Sequence, residues 1–110
     1  MDVLFAIREV AGTSILVVEG EVDLYTAPRL RCRMTALLEA GWRDLVIDLR
    51  SVSFIDSSGL GALVQCRALA ERLGTSVSLV CTQPHLLKIL RLTGLDQVFA
   101  LHADPESAAA

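Results

Sequence analysis

"DLVIDLRSVSFIDSSGLGALVQCRALAERLGTSVSLVC", residues 44–81, is the stretch that decides the fold. Its opening, "DLVIDL" (44–49), is short and rich in β-branched and aliphatic residues, the pattern of a strand covered on both faces. A helical stretch runs from Ser57 to Leu73 and is stopped by Gly74. "SVSLVC", Ser76 to Cys81, then reads as a second buried strand. The rhythm is β, α, β, which predicts a right-handed crossover in a parallel sheet.

On the N-terminal side, Val3 to Val10 and Thr13 to Glu19 read as two strands joined at Ala11-Gly12, a turn short enough for a hairpin. From about Thr26 to Ala40, apolar residues fall at Leu30, Met34, Leu37 and Leu38, with Pro28 in the first turn and Gly41 just past the end, so an amphipathic helix is expected. On the C-terminal side, Thr82-Gln83-Pro84 opens a third helix that Gly94 closes, and "QVFAL" (97–101) offers a last short strand. Residues 104–110 are expected to fray. The expectation is one α/β domain over residues 1–110: a mixed, mostly parallel sheet with an N-terminal antiparallel hairpin and helices packed on it.

Composition bounds the function. A chain of 110 residues buries roughly 65% of the surface it exposes when unfolded, enough for a proper core. Residues are 53% hydrophobic but only 5% aromatic, so that core must be aliphatic. Lys+Arg number 10 against Asp+Glu 13, with no basic run, which argues against a nucleic-acid partner. Cys32, Cys66 and Cys81 are widely spaced, without a CxxC pair or a histidine cluster, and read as free thiols rather than a disulfide framework or a metal site. "MDVLFAIREV" has no small-residue cleavage site, and no apolar stretch approaches the ~20 residues that span a bilayer. A cytoplasmic location is expected.

Within residues 44–81, "FIDSSGLG" (54–61) carries the chemistry. At 100° per residue, a helix from Ser57 gathers Ala62, Leu63, Cys66, Leu69, Ala70 and Leu73 on one arc, the predicted core face. Ser57, Leu60, Gly61 and Val64 fall on the opposite side, in line with Arg67 and Glu71. Two readings of that side are open. Leu60 and Val64 are ordinary scattered surface aliphatics, or they form a docking surface in which Gly61 lets another backbone approach and Ser57 sits at the centre. Asp56 reads as the N-cap, with Gly59 giving backbone clearance in the first turn. A phosphate on Ser57 is expected to be held by the unpaired backbone N–H groups of the helix start. Across an apolar interface its charge would expel a partner.

Enzyme chemistry finds no support. Ser57 has Ile55 two residues before it instead of the glycine of a G-x-S-x-G elbow, and only His85 and His102 are available as a base. Neither GxxxxGK[ST] nor GxGxxG occurs. Asp48 lacks the companion acidic pair that a phosphoacceptor aspartate would need, and reads as a paired or solvated strand residue.

With these elements placed, "FIDSSGLGAL" (54–63) resembles the phosphorylation motif of the STAS family, in particular its small bacterial anti-sigma factor antagonists. "VVEGEVDLYTAPRL" (17–30) is similar to the family's G-E-[LV]-D-x-x-T-A stretch, and "LLKILRLTGLDQVFAL" (86–101) to its closing helix, Gly-Leu turn and strand. The resemblance implies a STAS-like domain that binds an anti-sigma factor, a serine kinase of the histidine-kinase-like ATPase type, and so frees a sigma factor. It implies phosphorylation of Ser57 and reversal by a PP2C-type phosphatase, with ATP and Mg²⁺ belonging to the kinase and no cofactor in this chain. Asp23 and Thr26 match an element whose loop lies beside the phosphorylation site, although turn and cap duty explains them equally well. Tyr25 beside them is placed to tune partner choice. The residues expected to meet a partner are thus Asp23, Tyr25 and Thr26 in that loop, and Asp56, Ser58, Gly59, Leu60, Gly61 and Val64 around the Ser57 helix. The family also includes scaffolds and a transport subunit without a phosphorylation cycle, which is the alternative expectation.

Overall fold

The chain turns first at Ala11-Gly12, where both residues take positive φ, 50° and 81°. That is the mirror-image turn whose twist matches a right-twisted hairpin. It joins β1 (Val3–Val10) to β2 (Thr13–Val22), antiparallel with Val10 opposite Thr13. A computed structural model describes residues 2–109. Beyond the hairpin it contains α1 (Ala27–Glu39), β3 (Leu45–Ile55), α2 (Ser57–Arg72), β4 (Val77–Val80), α3 (Pro84–Leu92), a 3-10 turn at Leu95–Gln97, β5 (Ala100–His102) and α4 (Pro105–Ala109). The five strands lie in the order β1-β2-β3-β4-β5, and β2 to β5 are all parallel.

That order explains the layers. Strands added in one direction, each through a right-handed crossover, send every crossover helix to the same face. Accordingly Leu30 and Met34 of α1, Leu63 and Cys66 of α2 and Leu86 and Leu90 of α3 share one core with Leu16, Val18, Ile47 and Leu79 of the sheet. The other face keeps a smaller cluster, Ile15, Val46 and Val80, against which Ala108 of α4 packs. Asp48 on that face is buried and held by Arg50, whose Nε lies 3.0 Å and 3.2 Å from its two oxygens and whose Nη2 lies 2.8 Å from Oδ2.

Several expected boundaries move. β3 continues to Ile55 rather than ending at Leu49, because its ladder with β2 slips twice: Val17 pairs with Asp48 but Glu19 with Ser51, and Gly20 with Val52 but Glu21 with Phe54. Each slip adds a residue to β3. β2 correspondingly extends to Val22 through Gly20, whose φ of 114° and whose close approach to the Asp2 carbonyl both exclude a side chain. β4 is shorter than Ser76–Cys81, and the last strand is Ala100–His102, since residues 95–97 form the 3-10 turn. The tail expected to fray at 104–110 instead forms α4, with Pro105 buried; Ala110 lies outside the described residues. Its reason is the rear sheet face, which the one-sided helices leave open.

Candidate functional site

Two loops meet at the end of the sheet where β2 and β3 deliver the chain to α1 and α2. Asp56 N donates to Val22 O at 3.1 Å, tying the start of α2 to the end of β2. In the first loop, Asp23 and Thr26 lock each other. Asp23 Oδ1 accepts from Tyr25 N at 2.9 Å and Thr26 N at 3.0 Å, while Thr26 Oγ1 accepts from Asp23 N at 2.9 Å and donates to Glu21 O at 2.7 Å. The backbone bond from Thr26, with opposing effect from desolvation and further help from Tyr25 N, holds the Asp23 carboxyl below the usual carboxylate range. Thr26 is buried and works entirely inside this turn, so it presents nothing to a partner. What the turn presents are Leu24 and Tyr25, 65% and 83% exposed.

The second loop ends in the expected cap. Asp56 Oδ1 accepts from Ser58 N at 2.8 Å and from Gly59 N at 3.3 Å, an arrangement that also places a carboxylate at the positive end of the helix. Leu60 N already closes on Asp56 O at 3.0 Å. Two of the amides that could cradle a phosphate, Ser58 N and Gly59 N, are therefore taken, while Ser57 N has no partner among the described residues. Ser57 itself is exposed, and its hydroxyl makes no hydrogen bond among the described residues. Neither histidine reaches it: His85 Nε2 lies 3.2 Å from Ser53 O, and His102 stands in β5.

Around Ser57, the α2 residues sort differently from the simple two-sided wheel. Gly59 is buried, and a Cβ there would stand 2.6 Å from Ile55 Cγ1 and 2.7 Å from Val22 Cγ1, so it is a close-packing position and not a partner contact. Leu60 is half-buried against the core rather than directed at water. Gly61 is half-exposed with open space where a side chain would be, and Val64 is exposed. On the core side Ala62, Leu63, Cys66 and Ala70 are buried, but Leu73 is not. Burial pushes the Cys66 thiol up to about 12, leaving it inert.

A shallow groove between the first turns of α1 and α2 joins the two loops. It is lined by Leu24, Pro28, Arg31, Ser57, Gly61 and Gln65, among others. Leu24, Arg31 and Gln65 were not singled out in the sequence. Lying on a loop and two separate helices, they carry no common signal until the packing of α1 beside α2 is known.

Residues 5–108 match the family model described as "STAS domain". The anti-sigma-B factor antagonist of Bacillus subtilis (strain 168) is 36% identical over 89 residues, 81% of this chain and 81% of that protein. Its counterpart in Staphylococcus aureus (strain NCTC 8325 / PS 47) is 28% identical over 89 residues, 81% and 82% of the two chains. The crystal structure of an anti-sigma factor antagonist from Mycobacterium paratuberculosis superposes with a TM-score of 0.85 at 33% identity, covering 96% of this chain and 90% of that one.

Proposed function

This chain belongs to the STAS domain family, and from that membership we propose that it is an anti-sigma factor antagonist whose binding is switched by phosphate on Ser57. Unphosphorylated, it binds an anti-sigma factor that is also a serine kinase and thereby releases a sigma factor. The kinase brings ATP and Mg²⁺, and the γ-phosphoryl passes to Ser57 Oγ as the hydroxyl proton leaves and ADP departs. A PP2C-type phosphatase hydrolyses the ester and restores the binding form. The chain acts in the cytoplasm as a binding module rather than an enzyme and holds no cofactor of its own. No helix among the described residues is long and apolar enough to cross a membrane.

The observation that carries this reading is an exposed, unbonded Ser57 hydroxyl at the start of α2, in a groove it shares with the exposed Leu24, with exposed Tyr25 next to Leu24 in the chain and exposed Val64 two turns along α2. A kinase can reach that oxygen without unfolding anything, and the same apolar neighbours give a partner area to cover. Phosphate adds about −1.5 to −2 charges there. One unit charge about 6 Å from a like charge at an effective dielectric of about 20 is worth about 3 kcal/mol, enough to weaken binding roughly a hundredfold.

Incubation with ATP and the cognate kinase, followed by mass spectrometry, tests the modification. Phosphate on Ser57, lost in Ser57→Ala, is expected. Phosphate absent from Ser57 with every kinase tried would overturn the switch and favour a STAS subunit or scaffold in a transport or signalling complex. Ser57→Asp and Leu24→Ala should each weaken association with the kinase while the melting temperature stays within a few degrees, and unchanged affinity in both would remove the docking face.

A further inference from the structure

We propose that Arg31 is the residue that receives the phosphate on Ser57, swinging from Gln65 across the groove to pair with it. This rests on Ser57 being the modified serine. The need for a cation follows from the cap. Asp56 already accepts from Ser58 N and Gly59 N, so a phosphate on the neighbouring residue meets a carboxylate and finds only Ser57 N unpaired in the first turn. Two anions side by side disfavour the second ionisation of the phosphate unless a positive group joins them.

Arg31 is the cation that lines the same groove as Ser57. Its only polar partner among the described residues is neutral, Gln65 Oε1 at 3.3 Å from Nη1. The other arginines near the start of α1 are differently placed: Arg29 pairs with Asp2, and Arg33 stacks 5.0 Å over the Phe5 ring. The reach is right as well. Helices α1 and α2 follow parallel strands and run side by side, with Pro28 and Arg31 of one against Ser57 and Gly61 of the other. Gln65 lies eight residues beyond Ser57, about 12 Å along the helix at 1.5 Å per residue, and Gly61 stands midway. Arg31 lines the groove together with Ser57, Gly61 and Gln65, so the exchange carries its guanidinium along one wall of that groove. Gly61 leaves the lane between them open, since nothing lies within 4 Å of where its Cβ would be.

The exchange has a consequence for the switch. A guanidinium takes a phosphate through paired N–H donors, a stronger contact than a single bond to a neutral amide. Once drawn to Ser57, Arg31 covers Gly61 and fills the groove that a partner's backbone would enter. Phosphorylation then excludes the partner by shape as well as charge and leaves the fold in place.

The test uses the full chain with phosphoserine installed genetically at position 57, so that no kinase is required. The second pKa of the phosphate is read by ³¹P NMR titration. Arg31→Gln should raise it by about half a unit or more, from a value below the ordinary ~6, and Arg31→Lys should give back part of the lowering. Arg29→Gln, which removes the same charge from the other side of α1, should leave it unchanged. Equal titration curves for the parent and Arg31→Gln, or an equal rise with Arg29→Gln, would overturn the assignment. Because phosphate is placed without the kinase, a failure here is separate from a failure of the antagonist reading, which the kinase and affinity measurements decide.

Discussion

Replacing Gly59 and Gly61 by alanine, one at a time, should move stability in opposite directions although the two stand in successive turns of one helix. At Gly59 the new methyl would meet Ile55 Cγ1 at 2.6 Å, Val22 Cγ1 at 2.7 Å and Ile55 Cδ1 at 3.1 Å. Val22 and Ile55 are 0% and 4% exposed, so neither can swing into solvent to make room. Overpacking of this kind costs about 1–3 kcal/mol. Alanine's helix propensity returns at most about 1 kcal/mol, and less in a first turn. The net loss is about 1–2 kcal/mol, which for a domain of this size lowers the melting temperature by roughly 4–12 °C. At Gly61 nothing lies within 4 Å, so only the propensity acts. A gain of about 0.5–1 kcal/mol is expected there. Urea denaturation followed by circular dichroism, with the slope unchanged, reads both. A Gly59→Ala protein as stable as the parent would refute the close seating of α2 on β2 and β3. Gly61→Ala carries a second expectation, because its methyl enters the groove beside Ser57: a more stable protein that binds its partner more weakly.

Other consequences follow from the same contacts. Asp56→Ala removes the acceptor of Ser58 N and Gly59 N and should cost about 1 kcal/mol in denaturation experiments, with Asp56→Asn retaining most of it. Arg50→Met strands the Asp48 carboxylate, whose side chain is only 4% exposed, and should cost about 2–3 kcal/mol, largely relieved by adding Asp48→Asn. The Asp23 carboxyl is held below its ordinary 3.8 chiefly by the Thr26 backbone N–H. A depressed folded value means that its contribution is complete above the unfolded value and fades as pH falls through the lower folded one, so order in the loop at 23–26 should decline below about pH 4, visible as loss of the Thr26 amide signal in NMR. Among the thiols, Cys32 is exposed while Cys66 and Cys81 are buried, both with raised pKa from desolvation. A thiol reagent at neutral pH should therefore label Cys32 rapidly and the other two only on unfolding.

What the sequence made legible was local. The Ala11-Gly12 turn, the Asp56 cap and the spans of α1, α2 and α3 each rest on residues within a few positions of one another, where turn chemistry and a 3.6-residue period leave marks. The second half of β3 left none of the expected kind. Its buried residues after Leu49 are Val52 and Ile55, three apart instead of two, because each bulge against β2 inserts a residue and resets the alternation. The tail departs from expectation for a different reason: nothing local marks residues 105–109 as a helix, and the small Ala108 packs on Ile15, Val46 and Val80 only once the rear sheet face exists.

The site divides along the same line, and Asp56 shows why. Its identity and spacing make it a readable N-cap, and a bare helix start makes a readable phosphate cradle, yet both readings use the same N–H groups. With one carboxylate oxygen accepting from both Ser58 N and Gly59 N, the cap leaves a cradle the single amide of Ser57. The proposed compensation for a phosphate comes from another element. That element is α1, whose place beside α2 follows from the order of β2, β3 and their crossovers, and whose Arg31 and Leu24 neighbourhood is invisible one helix at a time. Thr26 and Gly59, which the sequence offers as partner contacts, prove to hold the site's frame. The residues that face outward, Leu24, Tyr25 and Val64, have nothing in the fold that requires them, so their chemistry is left to a partner to explain.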